Sequence, residues 1–313
     1  MAPPTTLSNR PSRATLGGRF PGWPVWTGAL VTLAALGSMA WLGGSTPAHR
    51  LMDSTITPEP TLALCSAVAR KALLGPPADT GKASVPAASC PDGMVEVEGE
   101  YCPALAQFCA RFVDGKPERD RCAVFRPGSR CYGRTLPMHF CIDRYEYPNR
   151  AGATPLVAST WEEAALQCKS GGKRLCRDTE WTLACEGRER TPYPYGNERD
   201  ATACNIDKPY IVPDNDAYAK PSSRDAEIAR VDQREPSGSR DRCVSPYGVH
   251  DMTGNVDEWV VNRAGSTTQP PFVSGLKGGY WGPVRNRCRP MTTDHNMWHS
   301  GYQIGFRCCK DAS

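Results

Sequence analysis

Apolar residues recur at helical spacing in a short stretch of the chain that begins near residue 160. Ser159 and Thr160 each stand three residues before a glutamate, which is the sequence pattern of a capping box at the start of a helix. Gly171 and Gly172 predict where the helix ends, because glycine commonly follows the last helical turn. The apolar positions in between have the spacing i, i+3, i+4 and i+7, which predicts one buried stripe: Trp161, Ala164, Ala165 and Cys168.

A second helix is predicted to be capped by Asp178 and to end at Gly187. Its buried residues would be Trp181, Ala184 and Cys185. Beyond it, long stretches have no helical period and are punctuated by Gly, Pro, Asn and Asp, so we expect short strands and structured loops there. The 29 glycines and 29 prolines also favour a loop-rich fold. The pattern therefore predicts an α+β fold with much irregular backbone.

An uncharged stretch at residues 20–45 follows a basic N-terminal flank. About 20 apolar residues suffice to cross a bilayer, and a basic flank is expected to stay cytoplasmic. We therefore predict a membrane anchor that places the rest of the chain outside the cytoplasm. A cleaved signal peptide is the alternative, in which case the chain would be periplasmic or secreted. Three tryptophans suited to the membrane interface favour the anchor: Trp23, Trp26 and Trp41.

The cysteines indicate an oxidising compartment. The chain has 15, none of them in a CxxC pair, and fourteen lie between Cys90 and Cys309. An even number of scattered cysteines in a loop-rich domain is typical of a disulfide framework. Cys65 lies outside that block and is expected to be free or intermolecular.

Composition divides the chain into four parts. Residues 46–89 are rich in Pro, Ala, Thr and Ser, which cannot bury enough surface to fold alone. The predicted parts are a disordered cytoplasmic tail (1–19), the anchor or signal (20–45), a tether (46–89) and a folded domain (90–310) with a cysteine-rich start (90–141).

Two function classes have no support in the sequence. The net charge of +4 is spread along the chain with no run of five or six basic residues, so nucleic-acid binding is not predicted. No GxSxG segment is present, so a serine hydrolase of the type that carries this motif is not predicted either.

Eight segments, in order along the chain, resemble motifs of the formylglycine-generating enzyme (sulfatase-modifying factor) family. The resemblance implies a disulfide-stapled, C-type-lectin-like fold with little regular secondary structure, bound calcium, and a groove for an extended peptide or a small polar ligand. The segments are FCIDRYEYPN (140–149), WEEAALQC (161–168), GKRLCRDTEWTLACEG (172–187), YPYGN (193–197), ACNID (203–207), YGVHDMTGNVDEW (247–259), LKGGYW (276–281) and GFRCC (305–309).

The same resemblance implies two disulfides, Cys168–Cys308 and Cys185–Cys288. In active members of the family a copper-binding cysteine pair converts a sulfatase cysteine to formylglycine, but here no cysteine stands between Gly279 and Cys288. Since Cu(I) needs soft thiolate ligands, copper is not expected. Cys288 would be a catalytic candidate only if it were not disulfide-bonded.

Calcium is the cofactor that the resemblance implies. One site maps onto Asp251, Gly254, Val256 and Glu258, and another onto Asn205 and Ile206, with further ligands sought in 214–216. Calcium takes six to eight oxygen ligands, and a tight glycine turn flanked by carboxylates can supply them. The alternative is a solvated turn in which Asp251 caps a neighbouring backbone N–H.

Five residues lie where the family's groove would be: Trp281, Arg285, Arg287, His295 and Asp257. Asp257 stands where the family usually has tryptophan. An aromatic and polar lining suits an extended peptide or a small polar ligand. The alternative is that Trp281 fills the core and the arginines pair with surface acids.

His295 and His299 have the i, i+4 spacing that can bind zinc on a helix. The segment is a poor helix and lacks the HExxH glutamate, so two loop histidines are the favoured interpretation.

Two functions remain open at this point. The first is a membrane-anchored binding module with the family fold but without formylglycine-generating activity. The second is a metal-dependent oxidase acting on a protein or a small molecule. The absent cysteine pair favours the first, and whether the chain is an enzyme stays undecided.

Overall fold

Two four-stranded sheets form the frame of the protein in the computed structural model, which describes residues 89–263 and 269–313. The strands are β1 (Met94–Tyr101), β2 (Leu105–Ala106), β3 (Cys109–Phe112), β4 (Cys122–Phe125), β5 (Arg130–Cys131), β6 (Leu136–Asp143), β7 (Arg174–Leu175), β8 (Asp257–Val261), β9 (Ser274–Lys277), β10 (Met291–Thr292), β11 (Ile304–Phe306) and β12 (Cys308–Asp311). The helices are α1 (Trp161–Ser170), α2 (Asp178–Glu186), α3 (Asn215–Ala219) and α4 (Pro221–Val231). Short elements joined by long irregular segments confirm the predicted α+β class.

The second sheet carries the candidate site. The first sheet has the strand order β1-β6-β12-β7, and its longest pairing joins β1 and β6 antiparallel over their whole length. The second has the order β10-β9-β8-β11, with β11 parallel to β8 and the other pairs antiparallel. The β8 strand begins with Asp257 and Glu258. Two of the residues predicted for different sites are therefore neighbours on one strand, and their side chains point to opposite faces of the sheet.

Both predicted helices are present. Helix α1 begins after Thr160, whose hydroxyl accepts a hydrogen bond from the Glu163 N–H while the Glu163 carboxylate accepts one from the Thr160 N–H. Helix α2 differs from the prediction at its start. Asp178 is its first helical residue rather than its cap, and its carboxylate accepts a hydrogen bond from the Arg263 N–H. Except for Thr179, every residue of α2 is buried, so this helix is the centre of the core.

Helices α3 and α4 were not predicted. Only Glu227 and Val231 of α4 are buried, and α3 has no buried residue. Such elements present almost no apolar stripe, which is why a search for helical periodicity does not find them.

All fourteen cysteines of the described residues are paired in seven disulfides. They include Cys168–Cys308 and Cys185–Cys288, the two pairs implied by the resemblance. The cysteine-rich start has three of its own, and two more lie in the later part of the domain: Cys90–Cys141, Cys102–Cys131, Cys109–Cys122, Cys176–Cys309 and Cys204–Cys243. Seven disulfides indicate an extracytoplasmic or secreted domain.

The predicted tail, anchor and tether lie outside the described residues, apart from Ser89. Within 89–263 and 269–313, no helix has the length and apolar character that a membrane span requires.

Candidate metal centre and binding groove

A tight turn at residues 251–256 brings the two predicted calcium segments together. Gly254 has a φ of +83°, and a Cβ at this position would lie 2.3 Å from the Asn205 carbonyl oxygen and 2.4 Å from Ile206 Cγ2. The Asn255 N–H donates to that same Asn205 carbonyl at 2.9 Å, and Asn205 Nδ2 donates to Asn255 Oδ1 at 2.9 Å. The turn therefore packs directly on the 205–206 segment, and only glycine allows so close an approach.

Gly254→Ala is expected to cost about 1–2 kcal/mol more in free energy of unfolding than Gly128→Ala, because it adds overpacking to backbone strain. Gly128 is a matched control, since it has the same φ of +83° but a Cβ added there would meet nothing within 4 Å. Chemical denaturation of the two variants measures the difference. Equal losses would show that the contact with Asn205 is not tight in solution.

Three buried carboxylates lie around the buried Arg307 guanidinium beside this turn. Arg307 donates from Nε and Nη2 to the two oxygens of Glu258 at 2.7 and 2.6 Å, and Trp181 Nε1 donates to Glu258 at 2.7 Å. Asp251 and Glu146 are also buried. One Asp251 oxygen accepts from the Gly238 N–H at 2.7 Å. Asp251 therefore caps a neighbouring backbone N–H, as in the alternative, but it is buried rather than solvated.

When all three carboxylates are ionised, their negative charge exceeds the positive charge of Arg307. Burial raises the pKa of Asp251 to about 6, with the charges of Glu258 and Glu235 acting in the same direction. Burial also raises the pKa of Glu146 well above its usual range, and the charge of Asp251 adds to that. Ionised carboxylates that lack sufficient counter-charge are expected to show raised pKa values.

Two buried oxygens in this region have no hydrogen-bond partner among the described residues: Glu146 Oε1 and Asn205 Oδ1. Buried polar atoms in folded proteins are usually satisfied, and unpaired oxygens beside excess negative charge fit a hard cation. Across the described parts of the chain, no group of three or more His, Cys, Asp or Glu side chains is arranged to hold a metal. A cation here would therefore depend on amide and backbone carbonyl oxygens as well as carboxylates.

The 214–216 segment, in which further ligands were expected, includes the N-cap of α3. Asp214 caps α3, since its Oδ1 accepts from the N–H groups of Asp216 and Ala217 at 3.0 Å each. Lys208 lies two residues beyond the 205–206 segment, with Nζ donating to the Gln233 carbonyl and to Glu235. Glu146 and Arg307 were not singled out from the sequence, although both stand in segments that carry the family resemblance.

A cavity of about 480 Å³ lies on the face of β8 that carries Asp257, opposite the face that carries Glu258. Three of the five predicted groove residues line it, namely Asp257, Arg285 and Arg287. Trp281 instead is buried, with its ring packed against Tyr280 and Tyr302, which matches the alternative that it fills the core. His295 does not line the cavity either.

Asp257 is held at the wall of this cavity by the backbone. Its Oδ1 accepts a hydrogen bond from the Gly279 N–H at 3.0 Å. Burial raises the pKa of Asp257 to about 7, although the charge of Arg285 opposes the change. Asp257 therefore gives this wall of the cavity a polar group.

Four arginines line the same cavity: Arg119, Arg121, Arg285 and Arg287. Arg287 Nη2 donates to Asp120 at 2.6 Å, and Arg121 Nη2 donates to Asp207 at 2.7 Å. Arg285 Nη2 donates to the Thr292 hydroxyl at 2.8 Å. The alternative of arginines paired with acids therefore holds for Arg287 but not for Arg285.

Cys288 offers no thiol to the groove. Its side chain is fully buried and bonded to Cys185, and its N–H donates to the Pro192 carbonyl at 2.9 Å. Because every other cysteine in the described parts of the chain is also in a disulfide, those parts hold no thiolate pair that could bind Cu(I).

The two histidines of the zinc alternative lie together. The rings of His295 and His299 stack with centroids 4.1 Å apart. Asp294 is 4.0 Å from His295 Nε2 and is exposed. Ring stacking is sufficient to explain why these two loop histidines lie together, as in the favoured interpretation.

Comparison with known proteins places this arrangement in a family. The family model "Sulfatase-modifying factor enzyme 1-like domain" matches residues 138–312, which is more than half of the chain. The chain belongs to this family, and it has the family's loop-rich α+β fold.

The relatives include both inactive and active members by name. The "Inactive C-alpha-formylglycine-generating enzyme 2" of Bos taurus is 28% identical over 165 residues, which cover 50% of this chain and 50% of that protein. The "Formylglycine-generating enzyme" of Thermomonospora curvata is 31% identical over 166 residues, with the same coverage of both chains. The chain thus spans about half the length of these curated relatives.

Two solved structures resemble the chain at lower identity. CarF has a TM-score of 0.45 and 14% identity, covering 70% of this chain and 98% of its own. PvdO from Pseudomonas aeruginosa has a TM-score of 0.45 and 17% identity, covering 72% of this chain and 97% of its own.

Proposed function

We propose that this protein is an extracytoplasmic ligand-binding module of the family, without formylglycine-generating oxidation. One observation carries the proposal: Cys288, which directly follows the groove residue Arg287, is buried in a disulfide with Cys185. Oxidation by the family's route needs two thiolates on copper. The similarity to a relative named as inactive supports the same conclusion.

The groove is the proposed binding site. Its volume of about 480 Å³ lies within the usual range of about 300–1,000 Å³ for ligand pockets. Its wall is polar, with Asp257 and Arg285 close enough to interact electrostatically. These features support binding of an extended peptide or a small polar ligand. Residues 20–45 are proposed to anchor the module in the membrane, with 46–89 as its tether.

Calcium is the proposed structural cofactor. Its ligands would come from Asp251, Gly254, Val256 and Glu258 at one site and from Asn205 and Ile206 at another, and the two unpartnered oxygens of Glu146 and Asn205 support this. The ion would supply positive charge among the buried carboxylates and hold the 205–206 segment against the Gly254 turn. It has no part in a reaction under this proposal.

The metal content of the full chain tests the proposal. We expect protein purified from an oxidising host to retain calcium and to retain no stoichiometric copper after incubation with Cu(I), because every cysteine of residues 89–263 and 269–313 is in a disulfide and cannot supply a thiolate. Elemental mass spectrometry measures both. Chelation followed by calcium return should lower and then restore the melting temperature, since a ligand at 100 times its Kd stabilises by about 2.7 kcal/mol.

Oxygen uptake separates the two functions. One copper per chain, together with oxygen consumption in the presence of a cysteine-containing peptide, would overturn the binding-module proposal and favour the oxidase. Copper retained without oxygen uptake would contradict only the claim that the disulfide-bonded cysteines supply no thiolates to copper. If neither the metal content nor the melting temperature of the chain responded to calcium, the calcium proposal would be wrong. The proposal that the groove binds a ligand would not be affected.

A further inference from the structure

One wall of the groove comes from a part of the chain that the family model does not match. The matched region begins at residue 138, whereas Arg119 and Arg121 lie in the cysteine-rich segment before it and still line the cavity. This segment forms the β3–β4 hairpin, whose connecting loop holds two short 3₁₀ turns, Val113–Gly115 and Pro117–Arg119. The disulfide Cys109–Cys122 closes that loop. We call residues 113–121 the arginine wall.

The arginine wall is fixed to the family domain by contacts on both sides. Asp120 accepts from Arg287 Nη2 at 2.6 Å, and Arg121 Nη2 donates to Asp207 at 2.7 Å. Asp207 is also bound by Arg199 through Nε at 2.7 Å and through Nη2 at 2.8 Å. The Arg287 guanidinium lies 5.4 Å from the centre of the Phe125 ring in β4. Two ion pairs therefore hold the wall at the cavity, and the cation–π contact attaches the adjoining β4 strand to the same region.

Two arginines of the cavity remain without a carboxylate partner. Among the described residues, Arg119 makes no ion pair, and the Arg285 guanidinium bonds only the Thr292 hydroxyl. Arg119 is exposed, and Arg285 is half-buried. In contrast, each carboxylate that pairs with Arg121 or Arg287 lies outside the cavity lining. Since Arg121 and Arg287 are each paired with an acid, the charges left in the described lining are those of Arg119 and Arg285 against the single acid Asp257, which gives the groove a net positive charge.

We propose that the groove binds a ligand through its carboxylate groups, with Arg285 and Arg119 as the residues that hold them. The inference rests on the proposed binding function and names the ligand class. The planar guanidinium presents paired N–H donors that match the two oxygens of a carboxylate. Arg285 belongs to the family domain and Arg119 to the arginine wall, so the ligand would bridge the two. The wall is then the element that sets specificity in this chain.

Binding of acidic and neutral peptides by the full chain tests this inference. The probe is a blocked Gly-Glu-Gly-Glu-Gly peptide, with Gly-Gln-Gly-Gln-Gly as its neutral counterpart and citrate as a free acid. We expect calorimetry to show at least tenfold tighter binding of the glutamate peptide than of the glutamine peptide, since a hydrogen bond from arginine to a charged carboxylate is stronger than one to a neutral amide. Added salt should weaken binding at the exposed Arg119.

Three variants assign the contacts. Arg285→Gln and Arg119→Gln should each weaken binding of the glutamate peptide about tenfold. Arg126→Gln is the matched control, because Arg126 is an exposed arginine of the same cysteine-rich segment that does not line the cavity, and it should change binding less than twofold. Melting temperatures of all three show whether each variant is folded; Arg119 makes no side-chain bond in the described structure, so its variant should fold normally.

The source of the carboxylate follows from the competition with citrate. Citrate that binds and displaces the glutamate peptide indicates a free acid, and binding of the peptide alone indicates an acidic peptide segment; both support the inference. Equal binding of the two peptides, no binding of any acidic probe, or no effect of Arg285→Gln and Arg119→Gln would overturn it. None of these binding results tests the oxidase alternative. Copper retention and oxygen uptake test that alternative separately.

Discussion

Replacing Arg307 with methionine is expected to lower the free energy of unfolding by about 3–5 kcal/mol, the usual cost of breaking a buried ion pair from one side. Arg307 is fully buried and holds both oxygens of Glu258. Its loss would leave Glu258 with only the Trp181 N–H as a bonded partner among the described side chains. The buried carboxylates of Glu146 and Asp251 would also lose their nearby positive charge. Urea denaturation followed by tryptophan fluorescence measures the change.

Arg242→Met provides the matched control. Arg242 is exposed and pairs with Asp200 at 2.9 Å, and such surface pairs contribute about 0–1 kcal/mol. Arg307→Lys should lie between the two, because it keeps the charge but cannot bond both Glu258 oxygens. If Arg307→Met were no worse than Arg242→Met, the buried ion pair would not be needed to stabilise this part of the core.

Sequence reasoning succeeded where the signals are local. The capping pair Thr160 and Glu163 lies within three residues and forms as predicted. The bounds of α1 follow from it and from Gly171. The calcium segments were also placed side by side by the structure, because the Gly254 turn allows a backbone approach that any other residue would block. Whether an ion binds there stays a prediction.

The groove could be predicted only in part, because its walls come from distant parts of the chain. Asp257, Arg285 and Arg287 stand within or near motifs that identify the family, so their place in the groove could be expected. Asp120 and Arg287 are 167 residues apart and meet only in the folded protein. The arginine wall also precedes the matched region, and nothing in the composition of its loop marks it as part of a site.

Two residues predicted for the groove, Trp281 and His295, pack elsewhere in the fold. Trp281 and His295 lie close to the groove residues in sequence, yet Trp281 packs in the core and His295 stacks on His299. Sequence position alone does not tell which side of an irregular segment faces a cavity, since loops have no period that fixes the direction of a side chain. The charge of the groove is therefore a property of the folded chain, set by which arginines find acids and which do not.

Replacing Cys185 and Cys288 together with alanine is expected to cost more stability than replacing Cys109 and Cys122. The first disulfide joins residues 103 apart and the second joins residues 13 apart. Cys176–Cys309 shortens the loop that the first one closes in the unfolded chain, but this loop is still the longer of the two, so chain entropy predicts the larger contribution for the first disulfide. Denaturant unfolding under non-reducing conditions compares the two. Equal losses would show that loop length does not decide the contribution of these disulfides.

The effect of the Cys185–Cys288 disulfide on copper binding is separate from its effect on the stability of the protein. In Cys185→Ala, Cys288 would become a single thiol beside the groove, and one thiol cannot form the paired thiolate site that Cu(I) needs. Copper retention should therefore stay as low as in the unchanged protein, even though the variant is less stable. Stoichiometric copper in Cys185→Ala would mean that a second ligand lies close to Cys288, and the proposed lack of oxidase chemistry would then depend on this one disulfide.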